Sequence, residues 1–221
     1  MACALVLFIG LGTRWLLGAE ADVATSPHPD EERSAVKPLR LRAHPMLVAV
    51  GMIAFCSMFA EGAVDNWSGV FLHQVRHASL AVAPLGTALC GTGMALGRFL
   101  GDGVITRHGR LRTLVGASLL ASGGMALALL GGTVVTGVAG YGILGLGVAT
   151  IVPIAFTIAG STPSLPPAWS LSRVTAMSYV GQATSPALIG LVAQGIGLSW
   201  SLAMPTVLLL AILPLTRYAV S

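Results

Sequence analysis

The chain has 221 residues, of which 55% are apolar and only 9% charged, against about 25% charged in an ordinary soluble domain. So few charges cannot cover the surface of a soluble protein of this size, and a soluble globular fold is excluded. The formal net charge of +4 does not point to nucleic acid, because the arginines are dispersed along the chain instead of forming a basic face with interleaved aromatics.

Apolar stretches fall at 1–18, 46–70, 82–103, 113–130, 135–160, 173–194 and 199–216. About 20 helical residues cross a 30 Å hydrocarbon core. The stretches are continuously apolar and lack the ten-residue alternation of barrel strands. Helices also satisfy their own backbone hydrogen bonds in lipid. The expected fold is therefore all-α, a polytopic membrane bundle.

Residues 1–18 lack the basic start of a signal peptide, and Arg14 lies at their far end, so they read as a helix entering from outside. A chain opening so abruptly inside a span suggests that further residues precede it. Residues 19–44 mix both charge signs with three prolines and read as a flexible linker. The remaining six spans are closely joined and suggest three antiparallel, hairpin-like pairs.

The span at 46–70 carries the most informative polar residues. Glu61 lies within it, Asp65 is four residues on and shares its helix face, and Asn66 follows. Ionisable residues inside a span usually face a polar cavity and mark pathways or proton relays. Glu61, with Asp65, is the candidate binder of a solute or a coupling proton; the competing reading is a carboxylate reaching the headgroups. His73 and His77 have metal-ligand spacing but no third ligand.

Further along, Gly93, Gly97 and Gly101 recur every four residues and permit close helix approach. Gly142, Gly145 and Gly147 thin a later span, and Pro153, Pro186 and Pro205 favour kinks. Gln182, with Ser178, Tyr179 and Ser185 nearby, is a candidate solute ligand, although helix–helix bonding would serve it equally well. Trp67 and Trp200 lie at expected outer ends. Cys3, Cys56 and Cys90 sit in apolar stretches and read as packing residues. No P-loop, HExxH or nucleophile elbow is present, so an enzyme is not expected, nor any cofactor or metal.

Of the eleven arginines and one lysine, nearly all fall in every second gap. Arg33, Lys37, Arg40 and Arg42 follow the first span. Arg98, Arg107, Arg110 and Arg112 flank the gap after the third, Arg173 the gap after the fifth, and Arg217 follows the seventh. Only Arg76 lies in the intervening gaps. The positive-inside bias then predicts an outside N-terminus and a cytoplasmic C-terminus.

The strongest local pattern is GRFLGDGVITRHGRLR, residues 97–112. Gly97 and Gly101 allow close packing, Asp102 can accept from helix N-terminal amides or pair with an arginine, and Gly109 suits a turn of positive φ. This pattern resembles the cytoplasmic loop signature of the major facilitator superfamily. By that resemblance, 45–217 is the C-terminal six-helix half of such a transporter, 19–44 the linker between halves, and 1–18 the preceding helix. AEGAVDNWSGVFL and SYVGQATSPALIGLVAQ are similar to bacterial fucose-permease-like and sugar-transporter-like branches. The resemblance implies a multi-pass protein of the bacterial inner membrane. It implies a secondary active, proton-coupled permease for a small solute, working by alternating access. The loop would lock one conformation. It also implies a partner, either a missing N-terminal half or a second copy. Two alternatives stand beside it: a seven-helix receptor, and a non-transporting half-protein that needs a partner. A retinal protein is excluded, because the only lysine, Lys37, lies in the linker.

Overall fold

The computed structural model describes residues 45–162 and 165–219. The expected span at 1–18 and linker at 19–44 lie outside the described residues. Every described element is an α-helix: α1 Pro45–Gln74, α2 Leu85–Leu130, α3 Val134–Gly160, α4 Pro167–Ile196, the single turn α5 Leu198–Ser201, and α6 Ala203–Ala219.

The 46 residues of α2 are two spans joined end to end. Gly109 interrupts them with φ 77° and ψ 162°, a conformation open almost only to glycine. The arms, 85–108 and 110–130, match two of the apolar stretches. Helix persists past the apolar limit at 103 and carries Arg107 and His108, because backbone hydrogen bonding propagates until a residue breaks the ladder.

By length and apolarity, α1, α2, α3 and the stretch Leu198–Ala219 qualify as membrane spans. α4 has 30 residues, about 45 Å of helix, and is long enough. It is more polar, with Ser170, Ser172, Arg173, Thr175, Ser178, Gln182, Thr184 and Ser185 along it.

Of the hairpin pairs suggested by chain order, the second arm of α2 and α3 pack closely, and the other two pack little. The two arms of α2 enclose α3, and α1 packs most extensively on α4 and next on α6. The α2–α3 seams are built from glycine. A Cβ at Gly93 would strike the carbonyl oxygen of Gly142, and one at Gly145 that of Cys90. On the second arm, Gly124 and Gly140 lie backbone to backbone, and Gly147 meets Ala117 and Ala121. Such contact brings helix axes together where lipid supplies no hydrophobic drive, so association rests on van der Waals fit. α3 starts with a reciprocal cap: Thr133 Oγ1 accepts from the Thr136 amide at 3.1 Å, and Thr136 Oγ1 from the Thr133 amide at 3.2 Å.

The interior prolines are Pro153, Pro186 and Pro214. Pro205 occupies the first turn of α6, where a missing N–H costs no helical hydrogen bond, so it does not act as a kink. Pro186 has a specific consequence. It cannot donate to the carbonyl of Gln182 four residues back, and that freed carbonyl faces Gly62 of α1. Trp67 adds a second tie between the helices, its indole N–H donating to the Pro186 carbonyl at 3.3 Å.

Candidate functional site

The polar residues of α1 are set against α2 by one hydrogen bond. Ser68 and Thr87 hydroxyls lie 2.8 Å apart, and the helices run antiparallel across a short connection. Counting from that bond toward the bend, Asp65 is about 4 Å down α1 and Glu61 about 10 Å, at 1.5 Å per residue. On α2, Cys90 is level with Asp65 and Met94 with Glu61. Arg98 is about 16 Å down, one helical turn beyond Glu61.

Glu61 is half-buried and Asp65 exposed. Glu61 lies in the Coulomb field of both Asp65 and Arg98. No ion pair joins these charges to one another or to any described residue. Two acids and one guanidinium thus stand at neighbouring depths on adjacent helices, their charged ends bonded to no described residue. Gly91, one level above Met94, leaves open space beside α2, since a Cβ there would meet nothing within 4 Å.

The other expected residues separate from this group. Asn66 is exposed, and its amide donates to the Gly62 carbonyl on its own helix at 2.8 Å. Gln182 is half-buried on α4 beside Gly62, the residue that follows Glu61 on α1. Tyr179 is exposed and Ser178 is bonded to its own helix. His77 lies beyond the end of α1 with φ 57°, and His73 bonds the Ala78 carbonyl oxygen at 2.8 Å. Among the described residues no three metal-ligating side chains converge.

The 97–112 motif divides into three parts. Gly97 and Gly101 are buried in the seam with α3, against Leu146, Ala149 and Thr150. Arg98 projects from the same helix but on an exposed face, eleven residues and about 16 Å before the bend. It lies about one helical turn beyond the level of Glu61 on α1. Asp102, Arg107, Arg110 and Arg112 are exposed around Gly109. The Asp102 carboxylate bonds no described residue, and its backbone carbonyl accepts from Thr106 at 2.7 Å.

The relation of Arg98 to Glu61 is the feature that sequence reading missed. Its only signal was arithmetic: with 13 residues between each and the helix end facing the other, the two fall within about a turn of the same level.

A bundle of apolar helices, glycine-seamed and carrying charges at mid-helix, is that of a multi-pass membrane protein. Residues 1–168 match the Major Facilitator Superfamily profile, and the chain belongs to that family. It is 32% identical over 175 residues to an uncharacterized MFS-type transporter of Yersinia pestis, covering 79% of this chain and 46% of the relative. It is also 32% identical over 189 residues to the membrane protein MosC of Rhizobium meliloti, covering 86% and 45%. The chain therefore spans about half the length of the curated relatives it matches. Solved structures share the fold: a peptide transporter POT at TM-score 0.69 and 15% identity, covering 77% of this chain and 37% of that one, and the inward-open xylose transporter XylE of E. coli at 0.64 and 18%, covering 76% and 46%.

Proposed function

We propose that this chain is one six-helix half of a secondary active permease that carries a small polar solute across a bacterial inner membrane, with its C-terminus in the cytoplasm. The observation that carries the reading is the unpaired set of charges at mid-helix, Glu61 and Asp65 on α1 with Arg98 one turn beyond on α2. Charges at such a depth are costly unless they face a polar pathway. Glu61 and Asp65 bind the solute or the coupling proton, and Arg98 fixes an electron-rich group of the same solute. Gln182 adds an amide from α4, beside Gly62.

The second wall of the pathway comes from another six-helix half or a second copy of this chain. Phe99, 86% exposed, stands with Leu96 on the outer face of α2, and such large exposed apolar groups suit a helical partner. Transport follows alternating access about a midplane site, with the arginine-rich bend holding one state closed.

The test is reconstitution of the chain with a co-expressed N-terminal six-helix half in vesicles loaded with a pH dye. Sugars, amines and carboxylates are offered in turn. The expected result is solute-driven proton movement that Glu61→Gln weakens. Failure of every solute class to accumulate or move protons would remove the permease reading. An unchanged response in Glu61→Gln would remove Glu61 from it.

A further inference from the structure

The bend at Gly109 opens two adjoining clefts that share His108 and Arg112. The first, about 470 Å³, lies between the arms of α2 with α3 as its floor. Its walls are apolar, with Leu100, Val104, Leu120 and Leu146 among them, and Gly116 leaves its length open because a Cβ there would meet nothing within 4 Å. The second, about 530 Å³, lies at the bend itself and adds Arg110 and Ser161. One slot is oily, the next is cationic, and the same two side chains form the boundary.

The guanidinium groups of Arg110 and Arg112 bond no described residue. His108 touches only the Val104 carbonyl of its own helix, at 3.3 Å. Asp102, the acidic residue of this segment, lines neither cleft. A ligand here meets positive charge and hydrogen-bond donors at one end and hydrocarbon at the other. We propose that the paired cleft binds one anionic phospholipid, with its phosphate at Arg112, Arg110 and His108 and an acyl chain between the arms of α2. Among the described residues neither cleft offers a carboxylate to the ammonium of a zwitterionic headgroup. A lipid in this seat braces both arms at the point where the helical ladder is broken.

Arginines that merely set topology would attract anionic lipid without regard to position. Arg107 supplies the control: it lies in the same exposed segment, and it lines neither cleft. The experiment is native mass spectrometry of the full chain with phosphatidylglycerol and phosphatidylcholine of identical acyl chains in competition. The expected result is one retained phosphatidylglycerol per chain. Arg112→Gln should cut the preference about fivefold, the effect of one basic residue near an anionic lipid, while Arg107→Gln leaves it within about twofold. Gly116→Leu, which fills the slot without touching a charge and favours helix, should remove the retained lipid. Equal retention of the two lipids overturns the proposal. So does an equal loss in both arginine variants, or undiminished phosphatidylglycerol binding in Gly116→Leu. A lipid-free dimer would assign the cleft to a second copy and overturn it as well.

Discussion

The guanidinium of Arg76 donates through Nη2 to the carbonyl oxygen of Leu129, and so closes the end of α2 from the far side of the loop after α1. The same nitrogen lies 3.4 Å from the Ala128 carbonyl, and the group stacks 5.1 Å from the centroid of Phe71. Carbonyls at a helix C-terminus lack intrahelical partners, and a cation there also complements the macrodipole. Arg76 was the exception to the charge alternation along the chain. Its charge is held by a helix end and by an aromatic face, so it does not act as a free signal of sidedness. Arg76→Gln should destabilise the bundle by about 1–3 kcal/mol, the cost of orphaned buried acceptors. Thermal unfolding in detergent checks this.

The glycines divide into two groups with opposite predicted responses to a methyl group. Gly145→Ala and Gly140→Ala drive a Cβ into the backbone of the facing arm of α2 and should cost about 1–3 kcal/mol through overpacking. Gly91, Gly116 and Gly123 face open space, so alanine there should be neutral or stabilising by up to about 1 kcal/mol, because glycine weakens a helix interior. Parallel melting curves of the five variants test the ordering.

Gly109→Ala places a side chain at φ 77° and ψ 162°. Space does not forbid it, since a Cβ would meet nothing within 4 Å; the backbone does. The expected cost is about 1–3 kcal/mol, and limited proteolysis between Arg107 and Arg112 should speed up as the bend reorganises.

In the reconstituted transporter, Glu61→Gln and Arg98→Gln should each raise the half-saturating solute concentration about tenfold or more, since hydrogen bonds to charged groups contribute about 1.5–3 kcal/mol. On the proposed reading, in which both residues hold one solute, the double variant should lose less than the sum of the two. Asn66→Ala should change uptake little, because that amide is occupied by the Gly62 carbonyl. Concentration-dependent uptake of the four proteins decides it.

Much of this architecture was legible in the residues. Apolar runs mark the spans because lipid demands them, and the spacing of Gly93, Gly97 and Gly101 marks a seam because only small residues let backbones meet. Gly109 stood out as the residue of the loop that a positive φ requires. Three things were not legible. Helix partners were not, because apolar faces in lipid carry no label for which neighbour they meet; hence α1 on α4. The continuation of α2 past 103 was not, because charged residues propagate a helix as well as apolar ones do. The nearness of Arg98 to the level of Glu61 was not, because a motif read as a string hides which of its residues approach another helix.

The three-layer arrangement of α3 between the arms of α2 uses only residues 85–160, an unbroken part of the chain. Its contacts close loops of a few tens of residues, so their entropic cost is low and they form early. During biosynthesis this hairpin of three can complete its glycine seams while α4 is still being made. The late-arriving α4 and α6 then dock on a finished scaffold, which leaves α1, held mainly by those two, as the last helix to find its permanent seat.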